Sequence, residues 1–316
     1  MYNEELKKKF IDDVTSSINT REACLEVFRI FSPYEDEWGA DLCTKTSDEL
    51  KPIVSRMVGI RSSGHRMRLS ILHSYGRWCL DHGVEGAAEG VLNVTPDIVD
   101  KIRTQMITSP VHMQKFLDSI YEKESAKTID NIYRCFYWLA YGGCSEDEIF
   151  KITSDEVDFV DMVVRHGDKE YPIYREGVKA FKICVDMYYF IYMHPNYSDD
   201  IKRLRCDGNI LLRGIKSVPT ITSIRPELSR RNRNAITDKK TNIKLSYFRA
   251  WLSGVFYRTY QLEMSGVEPD FMWLAEEFMK GKTYNLSSGR NTLAAKQRQI
   301  ARDYLKDYDN WKLTFD

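Results

Sequence analysis

Apolar residues recur at helical spacing through the first half of this 316-residue chain, then give way to strand-like alternation for one short stretch. That succession of periods restricts the fold more than any other feature. Cys24, Val27, Phe28 and Phe31 follow i, i+3, i+4, i+7 and define one apolar helix face. Asn19 and Glu22 read as an N-cap and its N3 acid, and Thr46 with Glu49 reads as a capping box that opens a helix through Ile53, Val54 and Met57. Gly59 is the expected stop of that helix. A further helix follows Ser62-Ser63-Gly64, carries Met67, Ile71, Tyr75, Trp78 and Cys79, and ends at His82-Gly83. Gly86–Pro96 is rich in small residues and turn signals and reads as a linker.

A second unit opens at Ser109-Pro110, an N-cap with proline at N1, and presents Met113, Phe116, Leu117 and Ile120. The next helix runs from Lys127 through Ile132, Cys135, Phe136 and Leu139 to Gly142-Gly143. Ser145 and Glu148 read as a capping box for a short helix. Val157–Val164 and Glu170–Tyr174 are β-rich and flank Arg165–Lys169 with its Gly167-Asp168 pair, the pattern of a hairpin. Helix is expected again over Glu176–Tyr192, a short strand at Asn209–Leu212, loop over Arg213–Lys244, and helices over Leu245–Met264, Leu274–Met279 and Thr292–Tyr308. The chain is therefore expected to be mainly α. It should have a small helical domain over 1–104 and a larger helical domain with a small antiparallel β-sheet over 105–316.

Several chemistries find no support. The most apolar run, Met187–Met193, is far shorter than the ~18 residues of a membrane span, and the first residues lack the apolar region of a secretory signal. Seven cysteines (Cys24, Cys43, Cys79, Cys135, Cys144, Cys184 and Cys206) form no CxxC pair, so reduced core thiols are expected rather than a disulfide framework. Six scattered histidines make no HExxH helix, and there is neither a P-loop nor a GxGxxG turn. No metal and no cofactor are expected.

Charge is segregated, although 46 basic and 46 acidic residues cancel. Residues 1–50 carry twelve acids and six bases, a net of −6. Residues 51–80 carry Lys51, Arg56, Arg61, Arg66, Arg68 and Arg77 and no acid, a net of +6. Residues 213–244 carry Arg213, Lys216, Arg225, Arg230, Arg231, Arg233, Lys239, Lys240 and Lys244 against Glu227 and Asp238, a net of +7. One basic segment thus falls in each domain, a distribution suited to gripping double-stranded DNA, where each neutralised phosphate releases a counterion. His65 joins the first segment near a helix start, where backbone N–H groups favour phosphate. Solvated helix faces that bind nothing, or that meet acidic protein partners, have the same composition.

The order of these segments resembles the phage integrases, or tyrosine recombinases. Leu69-Ser-Ile-Leu-His-Ser-Tyr-Gly-Arg-Trp-Cys79 resembles part of their SAM-like core-binding domain. Tyr137-Trp-Leu-Ala-Tyr-Gly-Gly-Cys-Ser-Glu-Asp-Glu-Ile149 resembles their Ala-Tyr-x-Gly-x-Arg-x-x-Glu-Ile segment, and Leu245-Ser-Tyr-Phe-Arg249-Ala resembles their His-x-x-Arg box. The resemblance implies a two-domain tyrosine-recombinase-like architecture whose second domain has the integrase catalytic fold. In that family a tyrosine attacks a DNA phosphate, two arginines and a histidine steady the developing charge, and a hairpin lysine is the general acid. Carried over residue by residue, the first arginine falls at Cys144 or Ser145, the box histidine at Ser246, and a later Gly-His at Gly281-Lys282. The usual tyrosine offset falls near Asn291; Tyr284 is early and Tyr304 late. The remnants are Lys169 (with Arg165 as a substitute), Arg249 and Tyr304.

Missing an arginine and two histidines, such a site loses the donors that phosphoryl transfer depends on, each worth roughly 10²–10³ in rate. The expectation is a non-catalytic DNA-binding transcriptional repressor of a temperate phage, similar to the integrase-like master repressors of SP-beta-type Bacillus phages. It would act in the cytoplasm of a bacterial host, at the nucleoid. Self-association through the helix over Thr292–Tyr308 is a further expectation. The rival is an active recombinase with Tyr304 as nucleophile, and a third possibility is a helical protein–protein adaptor.

Overall fold

The computed structural model describes residues 2–57, 62–98, 106–121, 128–187, 189–192, 200–203, 209–214, 218–241, 245–280 and 292–315. Arg61, Lys216 and Lys244, together with Gly59, Cys206, Gly281-Lys282, Tyr284 and Asn291, lie outside the described residues. The chain forms two compact units, Met1–Arg103 with Asp270–Thr314, and Thr104–Pro269.

The first unit is built from α1 (Glu4–Val14), α2 (Ile18–Trp38), α3 (Ser47–Arg56), α4 (Ser62–Asp81) and the single turn α5 (Gly90–Asn93). The capping box at Thr46 and Glu49 forms as expected. Ser17, not Asn19, is the N-cap residue of α2. Phe10, Phe28 and Tyr75 meet edge to face at ring separations of 4.9–6.0 Å and centre the core. Within that core Lys7 is fully buried and donates to both Glu35 carboxylate oxygens at 2.5 Å and to the Tyr2 carbonyl at 2.8 Å. Breaking such a buried pair costs about 3–5 kcal/mol. The stretch read as a linker is not one, because Val91 and Val94 are buried in this core. Gly90 is needed there because a Cβ would stand 2.1 Å from the Lys45 carbonyl oxygen.

The last two helices, α11 (Met272–Met279) and α12 (Leu293–Lys312), were expected in the larger domain. They group with the first unit instead. Ile300, Tyr304, Tyr308 and Trp311 recur at helical spacing on α12 and are buried, with Phe271 stacking on Tyr304 and tilting against Tyr308.

The second unit contains α6 (Pro110–Ile120), α7 (Thr128–Gly142), α8 (Val178–Val185), α9 (Ile221–Thr237) and α10 (Tyr247–Met264). Ser109 caps α6 with proline at N1, as read from sequence. The hairpin is present: β1 (Val157–Asp158), β2 (Val163–His166) and β3 (Lys169–Pro172) form an antiparallel sheet in the order β1-β2-β3, with His166 opposite Lys169. Gly167, at φ 63°, supplies the left-handed residue of the two-residue turn. The mainly α architecture with a small antiparallel sheet is therefore as expected, and a second, two-stranded sheet was not foreseen.

Four local expectations fail. The helix over Glu176–Tyr192 ends at Val185, and Tyr189–Tyr192 becomes β4, paired antiparallel with β5 (Asp200–Arg203). A Tyr-Phe-Ile-Tyr run suits a strand, and a short apolar run has no decisive period. The segment read as loop carries α9, whose buried Ile224, Leu228 and Ala235 keep helical spacing beneath a charged outer face. Ser145–Glu148 closes turns rather than a helix. The expected strand at Asn209–Leu212 reduces to one bridge, Thr153 with Ile210.

α7 and α10 cross closely at Gly254. A Cβ on Gly254 would stand 1.8 Å from the Tyr141 carbonyl oxygen, which is backbone and cannot yield. Gly254→Ala is expected to destabilise the protein by roughly 1–3 kcal/mol or more, read as a lowered urea midpoint.

Candidate nucleic-acid interface and remnant site

The acid-free segment of the first unit is only partly a free basic surface. Lys51 and Arg77 are exposed. Arg56 is exposed but donates to the Tyr34 hydroxyl and lies over that ring. Arg68 is half-buried, donating to the Met57 carbonyl at 3.1 Å and to Glu26 at 2.7 Å. Arg66 pairs with Asp303 of α12 at 2.6 Å. His65 is 6% exposed and belongs to the packing of the unit, so it cannot be the surface phosphate ligand expected from its place near a helix start. Burial, then the neighbouring charges of Arg66 and Lys306, lower its pKa. Along α4, Arg66, Leu69, Ser70, His73, Arg77 and Trp78 line an open groove of about 600 Å³.

In the second unit α9 sorts its cations between two roles. Arg225, Arg230 and Arg233 are exposed, on the side away from buried Ile224, Leu228 and Ala235, and exposed Lys239 and Lys240 follow the helix end. Arg230 pairs with Glu227 of its own helix, and Arg225 reaches Glu146 only at 3.4 Å. Arg231 is turned inward, pairing with Asp130 at 2.5 Å and Glu227 at 2.8 Å and lying over the Tyr121 and Tyr133 rings. Arg213 is also a correction to the expected DNA contacts. It is 6% exposed and donates to the Ile210 and Met187 carbonyls and to Ser154, tying loop backbone together.

The residues singled out by the integrase resemblance in the second unit are organised by the start of α10. Ser246 caps that helix by accepting from the Arg249 amide. The Tyr247 hydroxyl donates to the Cys144 carbonyl at 2.8 Å and Trp251 Nε1 to the Gly143 carbonyl at 3.2 Å, which holds the turn after α7 against α10. On that turn Ser145 donates to Glu148 at 2.7 Å. Tyr171 donates to the same carboxylate at 2.7 Å, and Lys169 donates to it at 2.6 Å. Burial pushes the Glu148 pKa up, but the hydrogen bonds from Lys169, Ser145 and Tyr171 outweigh it and bring it to about 2. The carboxylate is therefore an anion at neutral pH. Arg249 is largely enclosed; burial lowers its pKa to about 10, and its Nε has no hydrogen-bond partner among the described residues.

Lys169 and Arg249 thus share the second unit, whereas Tyr304 belongs to the first and is 1% exposed, packed against Phe271 and Phe278. Its expected role as a late nucleophile meets a core tyrosine. Arg165, the substitute for Lys169, is tied by Asp158, Asp161 and Glu170. The residue the sequence reading undervalued is Glu148. Its spacing reads as a helix cap and as the glutamate of the integrase-like segment, and neither reading shows the hydrogen bonds from Lys169 and Tyr171. Among the described residues no group of three or more His, Cys, Asp or Glu is placed to hold a metal ion, and no helix is long and apolar enough to cross a membrane.

Residues 1–81 match the family model described as "MrpR, N-terminal core-binding domain". No curated protein matches the chain. Similar solved structures include the Tn1549 transposon integrase in complex with circular intermediate DNA, at 14% identity and a TM-score of 0.33, covering 94% of this chain and 98% of that one. The XerA recombinase is similar at 11% identity and a TM-score of 0.35, covering 95% and 98%.

Folding lowers the Glu148 pKa from 4.5 to about 2, so the unfolded chain binds this proton more readily and stability falls as acid is added. The stabilisation is complete above about pH 4.5 and is lost as pH falls toward 2. Glu148→Gln should be less stable than wild type at neutral pH. The gap in urea midpoint should narrow across that window.

Proposed function

We propose that this chain is a sequence-specific DNA-binding transcriptional repressor of a temperate phage, with a tyrosine-recombinase-like architecture and no strand-cleavage activity. The observation that carries this reading is Ser145. Phosphoryl transfer needs fixed cations around the phosphate oxygens. Here Ser145, one of the two positions where the integrase resemblance calls for an arginine, carries no charge and donates to Glu148, which also engages the hairpin Lys169. Tyr304 is buried as well. DNA binding does not depend on those groups, because phosphate contacts and base readout are separable from chemistry.

Support for DNA as the partner comes from the core-binding-domain match over residues 1–81 and from the exposed cations Lys51 and Arg77 in one unit and Arg225, Arg230, Arg233, Lys239 and Lys240 in the other. An active recombinase is the second reading. Arg249 favours it, as an enclosed cation whose Nε finds no partner among the described residues.

Mapping of bound sites across the genome of cells that carry the chain separates the two. A repressor gives dispersed promoter-proximal sites, whereas a recombinase gives one paired attachment site. With a duplex chosen from the bound sites, Arg225→Gln and Arg233→Gln should each weaken binding. Each should also reduce the slope of log affinity against log salt by about one. Arg213→Gln and Arg231→Gln should lower stability and leave that slope unchanged.

A further inference from the structure

Arg66, which lines the α4 groove, is held by a carboxylate from the far end of the chain. Asp303 Oδ1 accepts from Arg66 at 2.6 Å and from Gln299 at 3.2 Å, and its side chain is only 18% exposed. The contact joins residues 237 apart and is made by a helix that returns to the first unit after the whole second unit has been formed. Next to it His65, 6% exposed, has an Nδ1 without a hydrogen-bond partner among the described residues. Lys306, one turn beyond Asp303, is close enough to His65 to act on it electrostatically.

A carboxylate and a phosphate offer a guanidinium the same two-oxygen geometry. We infer that the Arg66 end of the α4 groove is a phosphate site occupied in the free protein by Asp303, so that α12 competes with DNA for α4 and is loosened when DNA binds. The inference rests on the DNA-binding reading above. It adds an intramolecular competitor, and so a handle by which anything that captures α12 would raise DNA affinity. The half-exposed Arg66 can be handed over because such an ion pair is worth little in water. The buried stripe of Ile300, Tyr304, Tyr308 and Trp311 keeps α12 folded against its own unit in the free protein.

The test uses the full chain and a fluorescein-labelled 30-base-pair duplex of mixed sequence, titrated at several salt concentrations. Asp303→Asn should bind roughly two- to fivefold more tightly, the worth of an exposed ion pair, with a salt slope steeper by about one. In an Arg66→Gln background the same change should have no effect. In the wild type, duplex addition should speed amide exchange over α12. Binding by wild type with neither the affinity gain nor the exchange change in α12 overturns the competition and leaves the DNA reading standing. No binding by wild type or any variant at low salt overturns both.

Discussion

The end of α7 is held by side chains of α10, and the functional part of the second unit depends on that contact. The last carbonyls of a helix have no partner within it. Arg258 donates to the Tyr141 carbonyl at 2.6 Å, Trp251 to that of Gly143 and Tyr247 to that of Cys144. Leaving such groups buried and unpaired would cost about 1–3 kcal/mol each. The approach is possible only because Gly254 has no side chain where α10 crosses Tyr141. The same contact sets the start of α10, and with it Ser246 and Arg249, against the turn that carries Ser145 and Glu148.

That placement decides the electrostatics. The resemblance to integrases calls for an arginine and a histidine at this point, and uncharged Ser145 and Ser246 stand there, one donating to Glu148 and the other capping α10. Glu148 collects three donors, one of them the Lys169 ammonium. Such a cluster is stable in itself and has no cation to spare for a phosphate, apart from the enclosed Arg249. The exposed cations lie elsewhere, on α9 and in the α3–α4 region, where the proposed repressor would meet DNA. Binding separated from chemistry is the physical content of the proposed repressor.

Much of this was legible wherever hydrogen bonds are local. The Thr46–Glu49 box, the Ser109-Pro110 cap and the Gly167 turn all involve residues within three positions of each other, so the sequence pattern is the structure. Helix α9 was hidden because arginine and lysine crowd its outer face and the buried set includes the polar Asn232. The site was less readable for the same reason at longer range. Arg231 meets Asp130, 101 residues away, and Arg213 meets the Met187 backbone, so their composition matched that of Arg225 and Arg233 while their surroundings did not. The return of α11 and α12 to the first unit has no local signature either.

A chain that holds DNA without attacking it, as proposed, forms no covalent link to a strand. Incubation with nicked duplexes carrying a recognised sequence, followed by denaturing gel electrophoresis, tests this most directly, because a nick strands any covalent protein–DNA intermediate. Retarded duplex on a native gel and no protein-linked strand under denaturing conditions are the expected result. A covalent complex that disappears in Tyr304→Phe would contradict it.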